Sequence, residues 1–135
     1  MGNVYIDNEL PEKALVSYLK AAEMYEAKSD LQNMAMVYCN MGLCYLNLKN
    51  TIESEKYLHR ALELQLELSS PEHLSNTYHN LSLLYKEKKY WARAQYFLDK
   101  SKAIFTRTGN KPALEASEEL QTQINTLHAD TFQLN

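Results

Sequence analysis

Apolar residues recur at three- and four-residue steps in successive stretches, each about one helix long. From Glu12 to Lys28 the stripe is Ala14, Leu15, Tyr18, Leu19, Ala22 and Tyr25, with Pro11 at a favourable first helical position. Lys28-Ser29-Asp30 interrupts it, and Asp30 is the expected N-cap of the next helix. Residues 31–48 are almost free of charge, with Asn33, Asn40 and Asn47 as the polar exceptions, which predicts a helix covered by neighbours on most faces. After Leu48-Lys49-Asn50, the pair Asn50 and Glu53 has capping-box spacing. That helix should run to about Leu68 on a stripe of Tyr57, Leu58, Ala61, Leu62, Leu64, Leu66 and Leu68. Ser70 and Pro71 read as cap and first residue of another. Residues 72–88 and Tyr90 to Thr108 predict two further helices, with Gly109 as a left-handed stop. Pro112 begins the last, with Ala113, Ala116, Leu120, Ile124 and Leu127 on one side and Glu115, Glu118, Gln121 and Asn125 on the other.

A second regularity overlies the first. Tyr38-Cys39-Asn40-Met41-Gly42-Leu43-Cys44-Tyr45 returns forty residues later as Tyr78-His79-Asn80-Leu81-Ser82-Leu83-Leu84-Tyr85. Met1, Gly2 and Tyr5 match the second half of that frame, so the chain reads as opening inside a repeat whose first helix is incomplete. Repetition at a fixed period of this size signals a repeat architecture. Gly2, Gly42 and Ser82 fall where two helices of a hairpin should approach most closely, with Ala14, Ser54 and Ala94 serving the same end on the partner helix. Tyr5, Tyr45 and Tyr85 are the expected filler between hairpins.

Composition narrows the function. Of 135 residues, 45% are apolar and 23% charged, ordinary for a soluble globular chain, and a single domain is expected. No apolar run approaches the ~18–20 residues of a membrane span, and no secretory signal is visible, so no membrane insertion is expected. Cys39 and Cys44 lie five apart on different faces of one helix, a poor geometry for a bridge, and read as buried reduced thiols. That points to the cytoplasm, with a processed or excised extracytoplasmic fragment as the alternative. His59, His73, His79 and His128 show no metal-ligand spacing and no Gly-rich phosphate loop is present, so neither catalysis nor a cofactor is expected. Residues 81–111 hold eight Lys or Arg against Glu87 and Asp99, whereas the rest of the chain is acidic. A solvated outer face explains this, and an acidic partner or self-association is the sharper reading. Nucleic acid is disfavoured, since the net charge is −3 and no helix-turn-helix pattern is present.

The frame resembles the tetratricopeptide repeat: an aromatic, Leu-Gly three and four later, Tyr, a distant Ala, an aromatic and another Ala. Tyr38, Met41, Gly42, Tyr45, Ser54, Leu58 and Ala61 carry it in one repeat, and Tyr78, Leu81, Ser82, Tyr85, Ala94, Leu98 and Ser101 in the next. Met1, Gly2, Tyr5, Ala14, Tyr18 and Ala21 carry the partial one. The forty-residue period exceeds the family's usual 34, which implies lengthened helices. Repeats of this length look like those of bacterial sensor and regulator proteins. The resemblance implies an all-α, right-handed solenoid of helical hairpins closed by a C-terminal capping helix. Its expected bounds are 1–128, with repeats at 1–29 (partial), 30–69 and 70–110, a cap helix at 111–128 and a frayed tail at 129–135.

It also implies a protein- or peptide-binding scaffold, the sensory or interaction module of a larger signalling protein. The alternative is a purely structural module that self-assembles without a peptide ligand. Family ligands lie in the groove of the first helices, which here would be lined by Met36, Cys39, Asn40, Leu43 and Leu46 and by Asn76, His79, Asn80, Leu83 and Lys86. Asn40 and Asn80 share a frame position from which an amide could hold a peptide backbone, or could satisfy a neighbouring turn. Asn76 and Asn80 stand where chaperone-type clamps have basic residues, which argues against capture of a C-terminal carboxylate. The incomplete first repeat should leave an apolar end open, and a homodimer through residues 1–28 is expected there.

Overall fold

A computed structural model of the chain describes residues 11–69 and 71–133. They form six helices and, among the described residues, no strand: α1 (Pro11–Ala27), α2 (Leu31–Asn47), α3 (Thr51–Leu68), α4 (Pro71–Glu87), α5 (Trp91–Thr108) and α6 (Lys111–Gln133). This is an all-α fold of repeated helical hairpins. None of these helices is long and apolar enough to cross a membrane. The expected roles of Met1, Gly2, Tyr5 and Ser70 lie outside the described residues.

The rhythm of the fold is set by its turns. Ser29, Lys49, Ser69, Lys89 and Gly109 all have left-handed backbone, each twenty residues after the last. At four of these turns the next N–H donates back to a carbonyl five residues earlier: Asp30 to Tyr25, Asn50 to Tyr45, Tyr90 to Tyr85 and Asn110 to Phe105, at 2.9 to 3.0 Å. Each is a Schellman stop, which satisfies carbonyls that the helix end leaves open. The donor residue then starts the next helix. Asp30 accepts from the Asn33 N–H at 3.3 Å, Asn50 from the Glu53 N–H at 3.2 Å and Asn110 from the Ala113 N–H at 3.2 Å. The expected capping box at Asn50 is therefore half made. Its second bond would need the Asn50 N–H, which the Tyr45 carbonyl already takes.

The chain divides into two compact units, residues 1–73 and 74–135. In the first, α2 packs against both α1 and α3. Ala14, Tyr18, Ala22, Val37, Met41 and Cys44 form its core. Gly42 meets α3 at Leu58, and the Ser54 hydroxyl donates to the Gly42 carbonyl at 2.8 Å. Leu58, Ala61 and Gln65 carry the buried stripe of α3, while Leu66 and Leu68 are exposed. The expected stripe thus leaves the core in its last turn, where Gln65 holds the inward position by spacing and not by apolarity. Leu19, expected inside α1, is 41% exposed.

The second unit repeats the crossing with the hydroxyl on the other helix. Ser82 of α4 donates to the Ala94 carbonyl of α5 at 2.8 Å. Both crossings therefore combine one hydroxyl with one residue no larger than alanine, which lets the backbones approach. α6 closes α5 through a reciprocal amide pair, in which Gln95 and Gln121 donate to one another at 2.8 and 2.7 Å. Lys102 and Glu118 add an ion pair at 3.3 Å. The buried positions of α6 are Ser117, Leu120 and Ile124, whereas Ala116 and Leu127 are exposed. Ser117 fits inside because its hydroxyl donates to the Ala113 carbonyl at 2.9 Å. The helix starts at Lys111, one residue before Pro112. It also runs to Gln133 instead of ending at residue 128, since nothing between Ala129 and Gln133 breaks it.

Candidate functional site

Five expected contact residues lie on α2. The Tyr38 and Tyr45 side of this helix turns towards α3, where both rings meet Tyr57 at 5.7 and 5.6 Å. Its small and apolar residues Ala35, Met41, Gly42 and Cys44 are buried. What stays open is a stripe at steps of four, three and four: Met36 and Asn47 exposed, Asn40 and Leu43 half-buried. Cys39 and Leu46 are 5% and 8% exposed, so they support this face from beneath and do not line it. Asn47, unassigned from the sequence, belongs to the face by position.

The other five lie on α4 in the second unit. Asn76 is exposed and Asn80 and Leu83 are half-buried, with exposed Glu87 completing the same four-three-four stripe. Met36, Asn40, Leu43 and Asn47 thus correspond to Asn76, Asn80, Leu83 and Glu87. Both faces present an amide and then a leucine, flanked by residues that differ between the repeats. Lys86 is not a free cation: its Nζ donates to Gln123 Oε1 of α6 at 2.9 Å. His79 lies against Phe105, with ring centroids 6.4 Å apart, and its buried Nδ1 has no hydrogen-bond partner. Burial, and then the Lys86 charge, lower its pKa below 6.5. A proton on this ring would have to be held in a dry site beside a cation.

Packing tunes titratable groups in the first unit as well. Burial pushes the Cys44 thiol up to about 11, which keeps it protonated and a poor nucleophile. Burial, with smaller effects from Cys44 and Cys39, raises the Tyr18 hydroxyl to about 12. Both cysteines are free and buried. Among the described residues no group of three His, Cys, Asp or Glu could hold a metal ion.

A three-ring cluster recurs in each unit, and the sequence pattern missed its centre. Tyr57 stands between Tyr38 and Tyr45, and Phe97 between Tyr78 and Tyr85 at 6.0 and 5.7 Å. The frame placed the second-helix aromatic at Leu58 and Leu98, which are fully buried one residue further on. The forty-residue recurrence of rings at 57 and 97 was the available signal.

Residues 33–107, more than half of the chain, match the family model described as the tetratricopeptide repeat. No curated protein matches the chain.

Proposed function

Because the chain belongs to the tetratricopeptide repeat family, whose members are generally protein-interaction scaffolds, we propose that each unit binds an extended peptide segment of a partner, the first through the open face of α2 and the second through that of α4. The observation that carries this reading is the recurrence of the amide–leucine pair. Asn40 with Leu43, and Asn80 with Leu83, stay part-exposed on helices whose other apolar residues are largely buried. An amide donates and accepts at once, which suits a peptide backbone, and the leucine supplies apolar contact for a side chain. Asn76 and Asn80 in place of a basic pair favour an internal segment over a free carboxylate.

In this reading the chain is the sensory or interaction module of a larger signalling protein, in keeping with its long repeats. Its buried thiols suit a reducing compartment. Self-assembly is the second reading. It draws support from Val16, Leu19 and Met24 of α1, which are 54%, 41% and 46% exposed and would suit a homodimer through residues 1–28.

Peptides selected against the chain from a display library supply the test, by calorimetry on the parent and on Asn40→Ala with Asn80→Ala. Loss of about 0.5–1.5 kcal/mol per amide, with the helical circular dichroism spectrum retained, is the expected result. Selected peptides that bind the double variant as tightly as the parent would overturn the reading. Sedimentation across concentrations reports separately on the dimer.

A further inference from the structure

α5 carries a second stripe that the peptide-binding faces do not use. Arg93, Tyr96, Lys100, Ala103 and Arg107 are all exposed and follow one another at steps of three and four. They share one face of the helix, along a line of about 21 Å at 1.5 Å per residue. Cations stand at every seventh position, with Tyr96 and Ala103 between them. Among the described residues no carboxylate pairs with Arg93, Lys100 or Arg107. Asp99, the one acid on α5, accepts from Gln95 at 2.9 Å, beside the amide pair that anchors α6.

The same face one repeat earlier shows what an ordinary solvated helix looks like here. Forty residues back the five positions are Glu53, Lys56, Arg60, Glu63 and Glu67, a mixed set in which Glu53 and Lys56 pair at 3.6 Å. Two changes at the start of α5 follow the same direction. Tyr90 replaces the capping Asn50 and makes no side-chain cap bond, and Arg93 replaces Glu53, leaving the first turn without an acid. A cation there opposes the helix dipole, so the free protein lacks an anion that this end favours. Arg93 instead rests over Tyr90 and Tyr85, 5.4 and 5.5 Å from their centroids. Beside it a surface depression of about 450 Å³ is lined by Tyr90, Trp91, Ala92 and Arg93. Further along, Lys100 lies 5.4 Å from the Tyr96 centroid, and that ring stands edge-on to Phe97 at 5.1 Å.

We propose that this face of α5 is a docking strip for an acidic amphipathic helix of a partner protein, with carboxylates recurring every seven residues. A helix laid along α5 presents side chains at the same 3.5-residue interval as the strip, so its carboxylates meet Arg93, Lys100 and Arg107 in register. Tyr96 and Ala103 supply a large and a small contact between the charges, and the depression receives an apolar side chain at the end of the seam. Nucleic acid fits less well. Its charge is denser than one cation per about 10.5 Å of helix.

The test uses the full chain and a fluorescein-labelled synthetic helix of about three heptads, with one Glu and one Leu per heptad in an Ala-rich background. A peptide of equal composition with Glu spaced irregularly is the control. Anisotropy should show the heptad peptide binding at least about fivefold more tightly than the control and weakening as salt rises. Arg93→Glu, Lys100→Glu and Arg107→Glu together should weaken it by about tenfold or more. The milder Lys100→Gln should weaken it by about threefold with the fold unchanged. Asn40→Ala with Asn80→Ala should leave it unaltered, which separates failure of this proposal from failure of the peptide-binding reading. Equal binding of the two peptides, or of the parent and the charge variants, overturns the proposal. So does a parent that takes a single-stranded DNA oligonucleotide or phosphatidylserine vesicles but not the heptad peptide. Salt-sensitive self-association abolished by the charge variants, without peptide binding, overturns it in favour of a second copy of the chain.

Discussion

Gly42→Ala tests the close helix crossing of the first unit, because two known effects of opposite sign compete there. An added methyl carbon would lie 2.5 Å from Leu58 Cγ, 2.6 Å from its Cδ2 and 3.4 Å from its backbone nitrogen. Carbon atoms settle at about 3.5–4.0 Å, so the shortfall is roughly 1 Å. Leu58 is fully buried, and turning its outer branch moves Cδ2 but leaves Cγ in place. Relief therefore requires the helices to part, which lengthens the 2.8 Å Ser54–Gly42 hydrogen bond. Overpacking of this kind costs about 1–3 kcal/mol and the strained bond up to about 1. The helix-propensity gain of alanine returns only about 1 kcal/mol, so a net loss of up to about 3 is expected. Urea unfolding followed by far-ultraviolet circular dichroism measures it. In a Leu58→Ala background the same substitution should be neutral or stabilising, since the methyl enters vacated space, giving a coupling of about 1–3 kcal/mol. Stabilisation by Gly42→Ala in both backgrounds would refute the crossing.

Three further outcomes are expected. Ser82→Ala should cost about 0.5–1.5 kcal/mol, because the hydroxyl it removes bonds the Ala94 carbonyl inside the second crossing; urea titration gives the value. Lys89→Gly should raise stability by up to about 1 kcal/mol in the same assay, since Lys89 holds φ at 63° where glycine carries no Cβ penalty. His79 predicts a pH dependence. Its folded pKa lies below the ordinary 6.5, so the unfolded chain binds the proton more readily and stability is lost as the pH is lowered. The loss should begin near pH 6.5 and level off below the folded value. Thermal melts of the parent and His79→Gln across that window should differ in slope, with the variant flatter.

Much of the fold was legible in the sequence because its controlling positions are chemically distinctive. Gly42, Ser54, Ser82 and Ala94 are the small residues that a close crossing demands, and they recur at a fixed offset. Asp30, Asn50 and Gly109 mark helix ends by residue type. The left-handed backbone at Ser29, Lys49 and Lys89 was hidden, because these residues adopt it through Schellman bonds and not by preference. Buried polar residues were hidden for a related reason. Gln65 and Ser117 occupy inward positions, and an apolar pattern passes over them. The reciprocal Gln95–Gln121 pair joins residues 26 apart, which no local rule connects. On the candidate faces, the frame points to Asn40, Leu43, Asn80 and Leu83, and all four are half-buried. Neighbours such as Cys39 and Leu46 were misjudged because helical spacing alone does not say how deeply a neighbouring helix covers them.

Backbone amide shifts on titration with a selected peptide test the binding account most directly. The account predicts that the largest changes cluster at Met36, Asn40, Leu43 and Asn47 and at Asn76, Asn80, Leu83 and Glu87, with α3 little affected. Saturable binding that shifts residues of α1 or α3, and leaves both amide–leucine faces unmoved, would contradict it.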